Sequence, residues 1–257
     1  MRNANLVENY PGFPNGVSGE ELVSLFTAHL RRWNVPVIME RVLELDYNDG
    51  IFLIRTPNKI YNAEIVIVAT GTTPKKPEFV LDLHPELLER VVYEVAEIRN
   101  ISCARILVVG AGDAAFDYAL TLLSLKNDVI IINRGTKIRA LPLLVNRAKV
   151  RGVQYYEKTR MVEVMRGYEK PLRVILRTDD REWDVEVDYI LVAIGRVPNI
   201  DFYSTNLRDV EKKLIAEGKL YVIGDAKGSP LRQASIAVSD GVMAATKIGI
   251  RTMEGNK

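Results

Sequence analysis

Two short stretches of this sequence carry residue types suited to chemistry. The first is Gly110-Ala111-Gly112-Asp113-Ala114-Ala115, a Gly-x-Gly-x-x-Ala set between the apolar run RILVV and the amphipathic stretch DAAFDYALTLL. Glycine at 110 permits a tight turn, glycine at 112 lets the backbone approach a pyrophosphate, and alanine at 115 lets a helix pack closely on the preceding strand. The start of that helix supplies N–H donors and a positive dipole end, so the expected ligand is an anionic dinucleotide. The end of the next strand, VIIINRGTKIRA, sets which one. An acidic residue there would accept from a ribose 2′-OH, whereas this sequence offers Asn133 and Arg134, with Lys137 and Arg139 nearby. Cations at that spot suit a 2′-phosphate and favour NADP; NAD stays open, because solvated Lys and Arg after a strand are common without any ligand. The second stretch, YVIGDAKGSPLRQAS, stops an apolar strand at Gly224-Asp225 and then offers Arg232-Gln233 at the start of a small-residue helix. It is either a carboxylate held out for a ligand or a turn that closes a strand.

The elements that must position these residues follow from periodicity. Residues 104–134 read strand–turn–helix–strand, a βαβ unit of about 30 residues, which is the context the glycine motif needs. Ser18 and Glu21 form a capping box ahead of helical spacing over 18–33. PVIMERVLELD, IFLIRTPN and KIYNAEIVIVATG read as three strands broken by Asn-Asp-Gly and Pro-Asn turns. TTPKKPEF is a linker, and the stretch from Leu81 to Asn100 is mixed and partly helical, with Pro85 suited to a first helical turn. GVQYYEKTRMVEV, LRVILRTD and EWDVEVDYILVAIG read as a second meander that returns to a buried strand; RVPNIDFYSTN is a polar crossing segment.

Composition narrows the classes. The chain has 257 residues, 47% hydrophobic and 26% charged, with a net charge of +2, which describes a globular protein with no long-range pull toward nucleic acid or anionic membrane. No run reaches the roughly 18 apolar residues of a membrane span, and the N-terminus lacks a signal-peptide core, so a cytoplasmic location is expected. His29 and His84 stand apart from any ligand-spaced cluster, so no metal site is expected, and no Gly-x-Ser-x-Gly motif is present. The single cysteine, Cys103, excludes an internal disulfide and a Cys-x-x-Cys pair in this chain; ahead of a buried strand it reads as a small packed hydrophobe.

VENYPGFPNGVSGEEL, IVIVATG, the Gly110–Ala115 motif, NRGTKIRA, LVAIGRVPN and IGDAKGSPLRQASIAVSDGVMAA occur in an order that resembles the thioredoxin reductase-like flavoproteins. GDAAFDYAL is similar to the NADP motif of the thioredoxin reductase-type ferredoxin–NADP reductases within that group. The resemblance implies an α/β fold of two Rossmann-like dinucleotide-binding domains with β-meanders. The first would be discontinuous, an FAD-binding type over 1–86 and 196–257, and the NAD(P)-binding domain would span 87–195. It implies that Asp225, after Gly224, accepts hydrogen bonds from the ribityl chain of FAD, and that Arg232, Gln233 and Ala234 open a helix facing the flavin's pyrimidine edge. Asn9 is placed near the isoalloxazine, Thr70 and Gly71 near the FAD backbone, and Gly195 among the cofactor contacts.

Three departures shape the expected function. Family members begin with a strand–Gly-x-Gly-x-x-Gly–helix for the FAD pyrophosphate, and this sequence starts beyond it. The first domain is therefore expected to be N-terminally truncated, with the front supplied by another chain or by a longer gene, and FAD binding by this chain alone is set against the loss of several backbone hydrogen bonds. Where thioredoxin reductases carry Cys-x-x-Cys this chain has YEVAEIRNISCAR, which cannot relay electrons through a dithiol. The run before Gly224 is shorter than usual in the family, and Gly135 stands where NADP-specific members tend to have another Arg. The resulting expectation is a flavin-dependent NAD(P)H oxidoreductase without a redox dithiol, passing electrons to an unknown acceptor. The competing reading is a degenerate, non-catalytic nucleotide-binding or subunit protein, and thioredoxin reduction itself is disfavoured. Uncovered apolar surface leads to the expectation of a homodimer or a partner chain.

Overall fold

The computed structural model describes residue 2, residues 4–78 and residues 83–255. Phe79 and residues 81–82, at the ends of the expected linker and mixed stretch, lie outside the described residues. In chain order the elements are α1 (Gly19–Arg32), β1 (Glu44–Asn48), β2 (Ile51–Arg55), β3 (Ile60–Ala63), β4 (Val66–Val68), β5 (Thr72–Pro74), α2 (Pro85–Leu88), β6 (Val91–Val92), β7 (Arg105–Val109), α3 (Asp113–Ser124) and β8 (Asp128–Ile132). They continue with α4 (Pro142–Val150), β9 (Gln154–Tyr156), β10 (Arg160–Arg166), β11 (Leu172–Arg177), β12 (Glu182–Val187), β13 (Tyr189–Val192), β14 (Arg196–Pro198), α5 (Thr205–Ala216), β15 (Leu220–Val222) and α6 (Ala234–Gly255). The chain divides into two compact units: residues 1–9, 13–26 and 74–196, and residues 10–12, 27–73 and 197–257.

The first unit is built on a parallel sheet of order β6-β13-β7-β8-β9. Its central strands β7 and β8 are apolar after their first residues, Arg105 and Asp128, because both faces are covered. Period-2 alternation divides their side chains: Ile106, Val108, Val129 and Ile131 pack with Phe116, Ala119 and Leu122 of α3, while Leu107, Ile130 and Ile132 pack with Leu172, Val174 and Leu176 of the β10-β11-β12 meander. The layers are therefore helix, parallel sheet, antiparallel sheet. Two expected strands divide. Gln154–Tyr156 pairs with β8 as the parallel edge, and only from Arg160 does the chain join the meander, after Lys158 turns at φ 49°. The second division falls at Asp188, whose carboxylate accepts from the Arg105 N–H and Lys170 Nζ, both at 2.7 Å, while its own N–H donates to the Arg105 carbonyl. Those bonds redirect the chain from β12 into the parallel strand β13.

The second unit holds the antiparallel sheet β1-β2-β3 and a two-stranded parallel sheet of β15 and β4. Leu45, Phe52, Val68, Leu207, Leu214 and Leu220 form its core. Ser204 caps α5 by accepting from the Leu207 N–H at 3.0 Å. The strand expected from Pro36 begins only at Glu44; Val37, Ile38 and Met39 have no ladder among the described residues and are exposed. Cys103 also departs from expectation. It is exposed rather than packed, because a left-handed turn at φ 55° puts it ahead of β7 rather than in it.

Candidate functional site

In the first unit the glycine motif sits at the carboxyl end of the parallel sheet. Gly110 holds φ 131°, and a Cβ there would come within 2.3 Å of the Ala193 carbonyl oxygen. Only glycine lets β7 turn this close to the end of β13. A Cβ on Gly112 would meet nothing within 4 Å, so that backbone faces open space. Gly112 is the N-cap of α3 and no side chain caps the helix, which leaves the Asp113 and Ala114 N–H groups without an acceptor among the described residues. Ala115 is fully buried against the sheet, as its small size requires. Asp113 and Ala114 are exposed at the helix start, and the Asp113 carboxylate accepts from the Leu141 N–H at 2.7 Å.

The loop after β8 is stitched to the same turn: the Arg139 N–H donates to the Ala111 carbonyl at 2.8 Å. Asn133 serves this loop, donating to the Lys137 carbonyl and to the Tyr155 hydroxyl and accepting from the Gly135 N–H. The side chains of Arg134 and Arg139 are exposed and make no hydrogen bond or ion pair among the described residues. They are two uncommitted guanidiniums on a loop tied to an uncapped helix start, an arrangement able to hold a phosphate-bearing nucleotide. Gly195 holds φ 115°, its carbonyl accepts from the Lys75 N–H at 3.0 Å, and it follows the Ala193 carbonyl that Gly110 approaches.

The run at the expected dithiol position has a different role. Glu94 and Glu97 form a capping box on a 3-10 turn over Val95–Ile98, Tyr118 Oη donates to Glu94 at 2.7 Å, and Arg196 pairs with Glu94. Burial and the Glu94 hydrogen bond push the Tyr118 hydroxyl well above the usual phenol range. The Glu-x-x-Glu spacing of Glu94 and Glu97 is this network's one trace in the sequence.

In the second unit β4 and β15 run parallel and end together. The Ile223 N–H donates to the Val68 carbonyl at 2.9 Å, Thr70 Oγ1 donates to the Asn199 carbonyl at 2.6 Å, and the Asn199 N–H donates to Gly71, which holds φ 67°. Thr70, Gly71, Gly224 and Asp225 are thereby gathered at one carboxyl edge of a parallel sheet, the place where open α/β sheets bind ligands. Gly224–Lys227 forms a 3-10 turn closed by Gly228 at φ 72°. The Asp225 carboxylate accepts no hydrogen bond among the described residues. Arg232 and Gln233 precede Ala234, the first residue of α6, and the Ala237 N–H bonds to the Gln233 carbonyl. Asn9 belongs to the first unit, in the loop between the paired residues Val7 and Val17. Sequence reasoning missed Asp240, a buried carboxylate on α6; its signal was one acidic residue inside a helix of small and apolar residues. Among the described residues no cluster could hold a metal ion, and no helix is long and apolar enough to cross a membrane.

A parallel sheet with a glycine turn and an uncapped helix start at its carboxyl edge defines a Rossmann-type, nucleotide-binding α/β protein. The chain belongs to the pyridine nucleotide-disulphide oxidoreductase family, which matches residues 6–217, and within it to the thioredoxin reductase-like flavoprotein oxidoreductases. It is 26% identical over 256 residues to the thioredoxin reductase of Borreliella burgdorferi, covering 95% of this chain and 78% of that protein. To the thioredoxin reductase of Treponema pallidum it is 28% identical over 254 residues, covering 93% of this chain and 81% of the relative. The crystal structure of T. acidophilum thioredoxin reductase superposes with a TM-score of 0.82 at 25% identity, over 98% of this chain and 86% of that one. Lactococcus lactis thioredoxin reductase shares the fold with a TM-score of 0.84 at 23% identity, over 99% and 87%.

Proposed function

We propose that this protein is a flavin-dependent NAD(P)H oxidoreductase that works without a redox dithiol. The observation that carries the reading is the pair of ligand-ready strand edges: an open Gly110–Gly112 turn on one unit, and on the other an Asp225 carboxylate that accepts no hydrogen bond among the described residues. FAD, when bound, supplies two-electron chemistry between a nicotinamide and the acceptor. Residues Gly110, Gly112, Asp113, Ala114 and Ala115 seat the pyrophosphate of the pyridine nucleotide, and Gly195 lies beside it. Arg134 and Arg139 take the 2′-phosphate of NADP, with Asn133 holding their loop in shape. Asp225 accepts from ribityl hydroxyls, Thr70 and Gly71 line the same edge, and the Arg232–Ala234 helix start approaches the flavin ring. The domain assignment, FAD type over 1–86 and 196–257 and NAD(P) type over 87–195, belongs to this proposal.

The fit is chemical. A carboxylate accepts from hydroxyls without a change of charge, and a helix start stabilises the anion of a reduced flavin. The only cysteine in the sequence is Cys103, so the electron acceptor meets the protein by another route than a Cys-x-x-Cys pair. A cytoplasmic location and assembly as a homodimer or with a partner chain complete the reading.

Purified protein incubated with FAD and freed of excess should be yellow, and NADPH should bleach the flavin band under anaerobic conditions. A colourless protein after FAD addition refutes the proposal. NADPH binding without flavin reduction would mark a non-catalytic nucleotide-binding protein instead.

A further inference from the structure

Among the described residues four polar side chains are buried, Thr56, Asn127, Thr159 and Asp240, and Asp240 alone of these is ionisable. It lies on α6, 5% exposed, and both its oxygens are used on one short turn. Oδ2 accepts from the Gly224 N–H at 2.9 Å and Oδ1 accepts from Lys227 Nζ at 2.6 Å. The two ends of the Gly224–Lys227 turn are thus tied to a single carboxylate. The backbone supports the same seat: Gly224 holds φ 60°, and a Cβ there would stand 3.3 Å from Ala237 Cβ, one helical turn before Asp240. The lysine bond, with help from the Gly224 N–H, holds the Asp240 carboxyl below the usual carboxylate range despite its burial.

We propose that Asp240 is a positioning residue for Asp225: it fixes the turn from the α6 side and keeps the Lys227 ammonium away from the Asp225 carboxylate. Lys227 stands two residues from Asp225 and is the cation of the turn itself. Left without Asp240 it would have an alternative anion in Asp225, and a carboxylate paired with an ammonium no longer offers its oxygens to hydroxyl donors. Binding Lys227 elsewhere leaves Asp225 open toward the polyol chain of a flavin. This rests on the flavin reading above for the ligand, but the clamp exists in the protein alone.

The experiment has two arms. In flavin-free protein, amide exchange at Gly224 is followed by NMR: Asp240→Asn should accelerate it about tenfold or more, as loss of a charged acceptor at a half-buried donor requires, while Asp225→Asn leaves it unchanged. In the second arm FAD affinity is measured by flavin fluorescence quenching. Asp240→Asn should weaken binding about tenfold, Lys227→Met alone should change it less than about twofold, and Asp240→Asn with Lys227→Met should recover most of the loss. A merely structural role for Asp240 predicts no recovery on deleting the lysine, and that result overturns the proposal. Unchanged Gly224 exchange in Asp240→Asn overturns it as well, whether or not wild-type protein binds FAD. Failure of wild-type protein to bind FAD, with exchange accelerated as expected, would refute the flavin reading and the role toward flavin while leaving the clamp established.

Discussion

Asp117 offers a stability test that needs no ligand. It lies half-buried on α3, and burial, with a smaller contribution from nearby Asp113, pushes its carboxyl up to about 6; the Asn5 N–H, 3.4 Å away, opposes this. An unfolded aspartate titrates at about 3.9, so the folded state binds this proton more tightly than the unfolded state. The sign follows by linkage: the stability contributed by this group is fully present below about pH 3.9 and is lost as the pH rises through 6, by at most ~3 kcal/mol and by about 2 kcal/mol once remaining solvent contact is allowed for. Asp117→Asn keeps an oxygen for the Asn5 N–H and removes the titration. In urea unfolding the variant should be within about 0.5 kcal/mol of wild type at pH 4, and more stable by about 2 kcal/mol at pH 8. A difference between the two proteins that is the same at both pH values would refute the burial argument.

Other substitutions probe the site and its supports. Gly110→Ala puts a methyl group 2.3 Å from the Ala193 carbonyl at φ 131°, and should cost about 3 kcal/mol or more in a denaturant titration and abolish NADPH binding in calorimetry. Replacing Arg134 and Arg139 together by Ala should weaken NADPH binding about tenfold or more while leaving NADH binding within about twofold; equal losses would remove these residues from 2′-phosphate recognition. Ser204→Ala removes the cap of α5 and the hydroxyl that donates to Asp46, and should lower stability by about 1–3 kcal/mol in the same titration.

Much of this molecule is legible in the sequence where the forces are local. The Ser18–Glu21 start of α1, the β7–α3–β8 unit and the glycine turn between its strand and helix follow from side-chain spacing and backbone freedom within a few residues. The structure departs from sequence reading where a distant partner decides. Gln154–Tyr156 has the composition of a meander strand, yet β8 offers it a parallel edge. Val37 to Met39 have strand composition and no ladder among the described residues. Asn133 stands among the residues that the end of β8 offers to a nucleotide, and Tyr155, 22 residues on, engages its amide within the loop. Asp240 lay unnoticed because its partners, Gly224 and Lys227, are 16 and 13 residues earlier and meet it only when α6 packs back on the Gly224–Lys227 turn. Alone, the sequence determined the capped start of α1, the β7–α3–β8 unit and where a backbone could approach a phosphate, because propensity, periodicity and glycine's freedom act over a few residues. Tertiary structure alone decided which polar groups stay open to a ligand, because a hydrogen bond between residues far apart in the chain exists only after the intervening elements have packed.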